Sequence, residues 1–403
     1  MDRRDLIPSP HAAERLFLLD LLAGRVPDVV VGRDVDAAAF LEITPEKLYP
    51  MVFVRLRDHA ERLRVPADVL QVLGAHHRTN RLMELRRAAD LRRIDAVLGG
   101  AGIGFLILKG PVLAATVYPE PAARTMLDLD LLLAQEDYPA ALAALETIGY
   151  RVPRQFAGAT LYAGDAPPLV HDDPGGAVLE LHTMLDSLPE LRDAYAAMAP
   201  RARDVDLGHG IVLRALDREE LFAHVVLHVS KHHRFEDELR SVLDVALLMH
   251  AESNALDWVA LDRQWQQRGI ADWIALTVTL AHILLDSPLP AIYRERPPSD
   301  EVLTLAAEQL WAAKNRVPSR VTYTLAGAHP SPIHATVPGE TVPTPPGIEG
   351  LRARADREWQ RVRRLASAIR RGTLQPGIVA ADVELHRRRE RMFALVEGVR
   401  REE

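Results

Sequence analysis

Residues 106–110 read Leu-Ile-Leu-Lys-Gly, and residues 124–133 read Arg-Thr-Met-Leu-Asp-Leu-Asp-Leu-Leu-Leu. The first is a short aliphatic strand that ends on a lysine and a glycine. The second is a strand carrying carboxylates at positions 128 and 130. Side chains two apart in a strand share a face, so Asp128 and Asp130 project together, about 7 Å apart at Cα, while Leu127, Leu129 and Leu131 turn the other way. Two like charges on one strand face call for a cation, because burying unpaired carboxylates costs several kcal/mol each. A bound Mg²⁺ is the common answer where phosphate chemistry is possible. The plainer alternative is a solvated strand face.

Further along, Val178-Leu179-Glu180-Leu181-His182 alternates in the same way, so Glu180 and His182 share a face. If this strand pairs beside that of Asp128 and Asp130, three acids converge. Upstream, Leu82, Leu85, Ala89, Leu91, Ile94 and Leu98 recur at helical spacing, with Arg81, Arg86, Arg87, Arg92 and Arg93 on the wetter side. This predicts a long amphipathic helix that stops at Gly99-Gly100. The glycines at 99, 100, 102 and 104 do not form a dinucleotide-binding loop, since they follow a helix and open a strand. There is no Walker A sequence, no G-x-S-x-G elbow and no H-E-x-x-H. Helices are expected over 217–233, 236–250, 256–268, 271–285 and 301–314. Pro330 to Pro346 reads as a linker or loop, followed by Arg-rich helices.

The chain has 403 residues, 48% of them hydrophobic and 26% charged, which fits a globular protein with room for two or three domains. It contains no cysteine, which excludes disulfides, thiolate zinc sites and cysteine nucleophiles. With no secretory signal pattern and no stretch of membrane-spanning length, a cytoplasmic protein is expected. The net charge of −7 argues against generic nucleic-acid binding, although from Leu351 onward 14 arginines face 8 acidic residues. Only Lys47, Lys109, Lys231 and Lys314 are lysines, which draws attention to Lys109 beside the carboxylate strand. His224, His228 and His232 lie four apart, with His233 adjacent. No acid sits at the right helical spacing to complete a metal site with them.

The ordered series Lys109-Gly110, Tyr118-Pro, Arg124-x-x-x-Asp128-x-Asp130-Leu-Leu, Glu180-Leu-His182, and then Leu227-His228 and Lys231-His232 ahead of Leu239-Arg240 and Asp244, resembles the poorly characterised bacterial nucleotidyltransferase-like family. That family belongs to the DNA polymerase β-type superfamily, and the resemblance covers roughly residues 70 to 290. It implies an α+β fold: a nucleotidyltransferase-type mixed β-sheet flanked by helices, with further helical regions at both ends. The expected organisation is an N-terminal helical region (1–98), a nucleotidyltransferase-like core (99–215), a helical acceptor-side domain (216–290), and C-terminal helices with a Pro-rich linker and Arg-rich tail (291–403). The resemblance also implies Asp128, Asp130 and Glu180 as the metal-binding and catalytic triad. Where the wider superfamily has Gly-Ser after the first strand, this chain has Lys109-Gly110.

The chemistry implied is Mg²⁺-dependent transfer of a nucleoside monophosphate from an NTP, ATP favoured, to an unidentified acceptor with release of pyrophosphate. Two Mg²⁺ ions are expected. Lys109, Gly110 and Arg124 are the expected nucleotide contacts, and His182, His228, Lys231 and His232 the candidates on the acceptor side. Each has a plainer reading: Arg124 as an ion pair with Asp128, Glu180 as a surface residue, His182 as a satisfied core histidine, and Arg240 with Asp244 as a local pair. A small-molecule or peptide acceptor is favoured over RNA, with no membrane involvement. The alternatives are a non-catalytic nucleotide- or partner-binding accessory protein of a biosynthetic pathway, and an RNA-modifying nucleotidyltransferase toxin.

Overall fold

The computed structural model describes residues 1–153, 167–185, 187, 193–236, 239–312 and 376–398. The Pro-rich segment and the first part of the Arg-rich tail lie outside these residues. Four helices come first: α1 (Ala12–Leu22), α2 (Ala37–Ile43), α3 (Tyr49–Arg57) and α4 (Ala67–Gly100). Then follow β1 (Phe105–Ile107), α5 (Gly110–Thr116), β2 (Asp128–Leu133), α6 (Tyr138–Glu146), β3 (Tyr150–Arg151), β4 (Val170–His171), β5 (Val178–His182), α7 (Ala194–Met198), β6 (Arg203–Asp206) and β7 (Val212–Ala215). The remainder is helical: α8 (Arg218–Leu227), a π-turn at His228–His232, α9 (Leu239–Glu252), α10 (Trp258–Gln267), α11 (Ala271–Leu285), α12 (Ala291–Glu295), α13 (Asp300–Trp311) and α14 (Pro376–Val396).

The protein is α+β, with a mixed five-stranded sheet of order β5-β2-β1-β7-β6 flanked by helices, as expected. β2 runs parallel to β5 and antiparallel to β1. Covered on both faces, it is buried along its length except at Asp128. The hairpin β6–β7 is not among the expected strands. Its signal is the alternation of apolar residues at Val205, Leu207, Ile211, Leu213 and Ala215 around Gly208-His209-Gly210, three residues with left-handed backbone.

Two sequence expectations change. Leu127 precedes β2 instead of lying in it alongside Leu129 and Leu131, and it is 87% exposed. On α4, Leu82 and Leu85 are exposed, whereas Arg87, expected on the wet side, is buried together with Asn80 and Asp90. The reason is the loop that leads into β2, whose carbonyls need donors. Arg87 Nη1 donates to the Met126 carbonyl at 3.0 Å, and Asn80 Nδ2 donates to those of Ala122 and Arg124 at 2.7 and 3.0 Å. Buried carbonyls without donors are destabilising, and this requirement outweighs the apolar periodicity. Burial lowers the Arg87 guanidinium to about 10.

The same loop is tied to α9. Arg124 Nε and Nη2 donate to Asp244 Oδ1 and Oδ2 at 2.9 and 2.8 Å, and the Tyr118 hydroxyl donates to Asp244 Oδ1 at 2.7 Å. All three side chains are buried. Burial raises the Asp244 carboxyl, yet the Arg124 charge and hydrogen bonds outweigh it and hold the group below its ordinary range.

The described residues fall into two compact units. Residues 1–233 and 239–298 form one, and residues 234–236, 299–312 and 376–398 form the other. In the second, α13 and α14 pack through Arg388, whose Nε and Nη2 donate to Glu308 at 2.5 and 2.6 Å. Arg234 pairs with Glu390 at 2.8 Å and lies 4.6 Å from the Phe393 ring centroid.

Removing one member of a buried ion pair strands the other, at a cost of about 3–5 kcal/mol. Arg124→Met is therefore expected to lower the unfolding free energy by that order in urea titration, and Arg87→Met by about 1–3 kcal/mol for the carbonyl it leaves unsatisfied. Because the Asp244 carboxyl is depressed in the folded state, its contribution is present above the ordinary aspartate range and is lost as pH falls through the folded value. Unfolding curves of Asp244→Asn should accordingly lose that part of the acid limb.

Candidate functional site

The parallel register of β2 and β5 sets Asp130 opposite Glu180 and Leu132 opposite His182. Side chains on this face lean together across the strand spacing of about 4.8 Å. His182 Nε2 lies 2.9 Å from Asp130 Oδ1 and 3.8 Å from Glu180 Oε2. One ligand atom from each of Asp130, Glu180 and His182 can be chosen so that all three lie within 4.8 Å of one another. Asp130 is buried, and Glu180 and His182 are partly exposed.

Lys109 enters from the end of β1. Its backbone has φ 36° and ψ −101°, an unfavourable conformation for a residue with a Cβ. This sharp turn from strand to helix brings Lys109 Nζ to 3.2 Å from Asp130 Oδ1. Burial by itself drives the Asp130 carboxyl up, but the Lys109 charge and the His182 hydrogen bond hold it well below the usual carboxylate range. Glu180 goes the other way, raised by burial and then by the charges of Asp130 and Asp128. Asp128 is raised by burial and then by Asp130. Among the described residues Asp128 makes no ion pair.

The donor set suits a divalent cation. Asp130 is ionised and its present partners are a lysine and a histidine, so positive charge is already drawn to the spot. A carboxylate only accepts, so His182 now donates its Nε2–H to Asp130. Moving that proton to Nδ1 frees Nε2 as a ligand. Two carboxylates with one imidazole accept Mg²⁺ or Mn²⁺, and the imidazole adds affinity for later transition metals.

The helical histidines are arranged differently from an i,i+4 ladder. After α8 the backbone takes a π-turn, and His233 N–H bonds to the His228 carbonyl five residues back at 3.0 Å. His228 Nδ1 lies 3.4 Å from Lys109 Nζ, and His228 Nε2 lies 3.0 Å from His233 Nε2. An ammonium only donates, so Nδ1 accepts, the His228 proton sits on Nε2, and that N–H points at His233. With its Nε2 lone pair replaced by a proton, His228 does not chelate a metal together with His233. Burial, reinforced by Lys109 and the neighbouring histidines, pushes His228 well below its ordinary value and keeps it neutral. His232 is exposed and stacks on His228, ring centroids 5.3 Å apart. Lys231 is partly exposed on the same turn.

Thus Asp130, Glu180, His182, Lys109 and His228 come together in one connected group. Arg124 does not join it, because both arms of its guanidinium are on Asp244. Nor does Arg124 pair with Asp128, the plainer partner considered from sequence. Gly110 is buried under Met126 and Arg124, and a Cβ there would come within 2.9 Å of Met126 Sδ. Its glycine is explained by close packing. His224 was noted from sequence only as part of the ladder. It is buried in the group's surroundings, and among the described residues neither ring nitrogen has a hydrogen-bond partner.

No helix among the described residues is long and apolar enough to cross a membrane. No curated protein matches the chain. A family model described as an uncharacterised nucleotidyltransferase matches residues 34–286. That span is more than half of the sequence and contains every residue of the group just described, so the chain belongs to this uncharacterised nucleotidyltransferase family.

Proposed function

We propose that the protein is a divalent-metal-dependent nucleotidyltransferase that moves a nucleoside monophosphate from an NTP, ATP favoured, to a small-molecule or peptide acceptor. The observation that carries this reading is the convergence of Asp130, Glu180 and His182 beside Lys109 in a chain of this family. Asp128, Asp130 and Glu180 are the residues offered to two Mg²⁺ ions, and His182 extends the set. When bound, such ions neutralise charge on the attacking and leaving oxygens of an in-line displacement.

In the reaction an acceptor oxygen forms a bond to the α-phosphorus and the bond to the bridging α–β oxygen breaks. Pyrophosphate leaves with that electron pair. Glu180, partly exposed and with its carboxyl raised, stands on the acceptor side as the group that takes the proton. Lys109 faces the triphosphate as a point charge. His228 holds Lys109 from the other side, and Lys231 and His232 on the π-turn contact the acceptor.

Incubation with α-³²P-labelled NTPs and Mg²⁺ or Mn²⁺ tests the reading. Label transfer that needs the metal is expected, and Asp130→Asn should reduce it on the order of a hundredfold or more while the far-UV circular dichroism stays native. Full activity in that variant removes Asp130 from its role. His182→Asn should raise the Mn²⁺ concentration for half-maximal transfer by roughly tenfold and affect Mg²⁺ less, since an imidazole favours the transition metal. An equal effect on both metals places His182 outside the ligand set.

A further inference from the structure

A cavity of about 450 Å³ lies among the first 35 residues, and none of its lining residues belongs to the group around Asp130. Small-molecule sites run from roughly 300 to 1,000 Å³. Its walls are the N-terminal turn at Arg3–Leu6, α1 and the segment 27–35. Leu16, Phe17, Val29 and Val35 supply the apolar surface, with Phe17 and Val35 buried beneath it. Every lining residue except Asp34 and Val35 precedes the span matched by the family model, so the cavity is built by the N-terminal segment of this chain. The turn that closes it is anchored. Arg4 N–H donates to Asp2 Oδ1 at 2.7 Å, Asp2 N–H donates to Asp5 Oδ2 at 2.9 Å, and Leu6 is buried. Arg3 Nη2 ties the turn to α1 through Asp20 Oδ1 at 2.8 Å. Walls held in this way leave little ordering to be done when a ligand enters.

The charged groups of the lining divide into engaged acids and uncommitted bases. Asp2 caps the turn as described. Asp20 Oδ1 accepts from Arg25 Nε and Nη2 at 3.1 and 2.7 Å as well as from Arg3. Asp34 Oδ2 accepts from the Val30 N–H at 2.9 Å and from Arg33 Nη2 at 2.7 Å. Arg3, by contrast, spends Nη2 on Asp20, while its buried Nη1 has no hydrogen-bond partner among the described residues. Arg4 is exposed at the rim, and among the described residues its guanidinium makes no ion pair and no hydrogen bond. A buried donor without an acceptor costs about 1–3 kcal/mol, and an anionic oxygen is what both arginines lack. The surrounding aspartates limit that anion to one charge, since a doubly charged head is repelled twice as strongly by the carboxylates.

We infer that this cavity binds a small monocarboxylate with an apolar body, its carboxylate on Arg3 and Arg4 and its body against Leu16 and Phe17. A guanidinium fork matches the two oxygens of a carboxylate, and the apolar floor takes the remainder of the molecule out of water. The site shares no residue with the nucleotidyl-transfer group and is independent of that reading.

Calorimetric titration of the full chain with octanoate, with octanamide as the uncharged molecule of the same body, and with inorganic phosphate tests it on wild type, R4Q and L16W. Far-UV circular dichroism is recorded for each variant. Saturable octanoate binding is expected, about tenfold or more weaker for octanamide and weaker still for phosphate, which has no apolar body. R4Q should weaken octanoate about tenfold, the value of a hydrogen bond to a charged group. L16W, which fills the cavity, should abolish octanoate binding, and A13W at the rim takes its place if L16W does not fold. Absence of saturable octanoate binding in wild type, equal affinity for octanamide, tighter binding of phosphate, or wild-type octanoate affinity in R4Q or in the cavity-filling variant overturns the inference. None of these outcomes bears on label transfer from an NTP.

Discussion

The structure depends on keeping one negative charge in the middle of a sheet. Asp130 lies in β2 between β5 and β1, 4% exposed, where an unpaired carboxylate is not tolerated. The two groups that meet it come from those two neighbours: His182 at the end of β5, which donates a hydrogen bond, and Lys109 just past β1, which brings the charge. The three strands are thus bound to one carboxylate as well as to each other's backbones. Leu108 N–H also bonds to the Asp130 carbonyl at 3.0 Å, so main chain and side chain of one residue hold the turn that carries the lysine. The unfavourable backbone of Lys109, a strain of about 1–3 kcal/mol, persists because these contacts over-determine it. Strain of this kind collects where a side chain has to be aimed.

A second set of charges makes the frame rigid. Asn80 and Arg87 on α4 hold the loop 122–126 from one side, and Asp244 on α9 holds Arg124 from the other. The entry to β2 is therefore fixed by hydrogen bonds from two helices more than a hundred residues apart in sequence. Asp128, the first residue after that entry, inherits a defined position and among the described residues makes no ion pair. An unpaired acid on a rigid support is poised for an incoming cation, because little ordering remains to be done when the cation arrives.

The sequence made the local pieces readable and left the long-range choices open. Phe105 to Leu108, Asp128 to Leu133 and Val178 to His182 could be recognised as strand segments because alternation and apolar runs are local signals. The shared face of Glu180 with His182 followed from the same rule. Which of Asp128 and Asp130 meets them did not, since that depends on the β2–β5 register, and a shift of one pleat is invisible in either strand alone. The phase of α4 was misjudged because leucine spacing does not reveal that backbone carbonyls from a distant loop require Asn80 and Arg87 as donors. The partner of Arg124 lies 120 residues away, and a nearer acid four residues on was the natural candidate. The π-turn has no sequence signature, although it decides that His228 meets His233.

That turn also bears on how Lys109 works. An ammonium has three protons to donate, and among the described residues Lys109 is near two acceptors, Asp130 Oδ1 and His228 Nδ1. The neutral imidazole adds no charge, so His228 can hold the lysine in place without competing for it electrostatically. If His228 were protonated, it would offer no lone pair at Nδ1 and would repel Lys109 instead. Its burial, with Lys109 and the other histidines beside it, is what prevents this. The arrangement is asymmetric: the carboxylate end of the contact is charged and can be given up to a metal, whereas the imidazole end is neutral and stays. A lysine released from Asp130 in this way remains tethered at His228 with its charge uncompensated, and on our reading the phosphate oxygens beside it are the group it then meets.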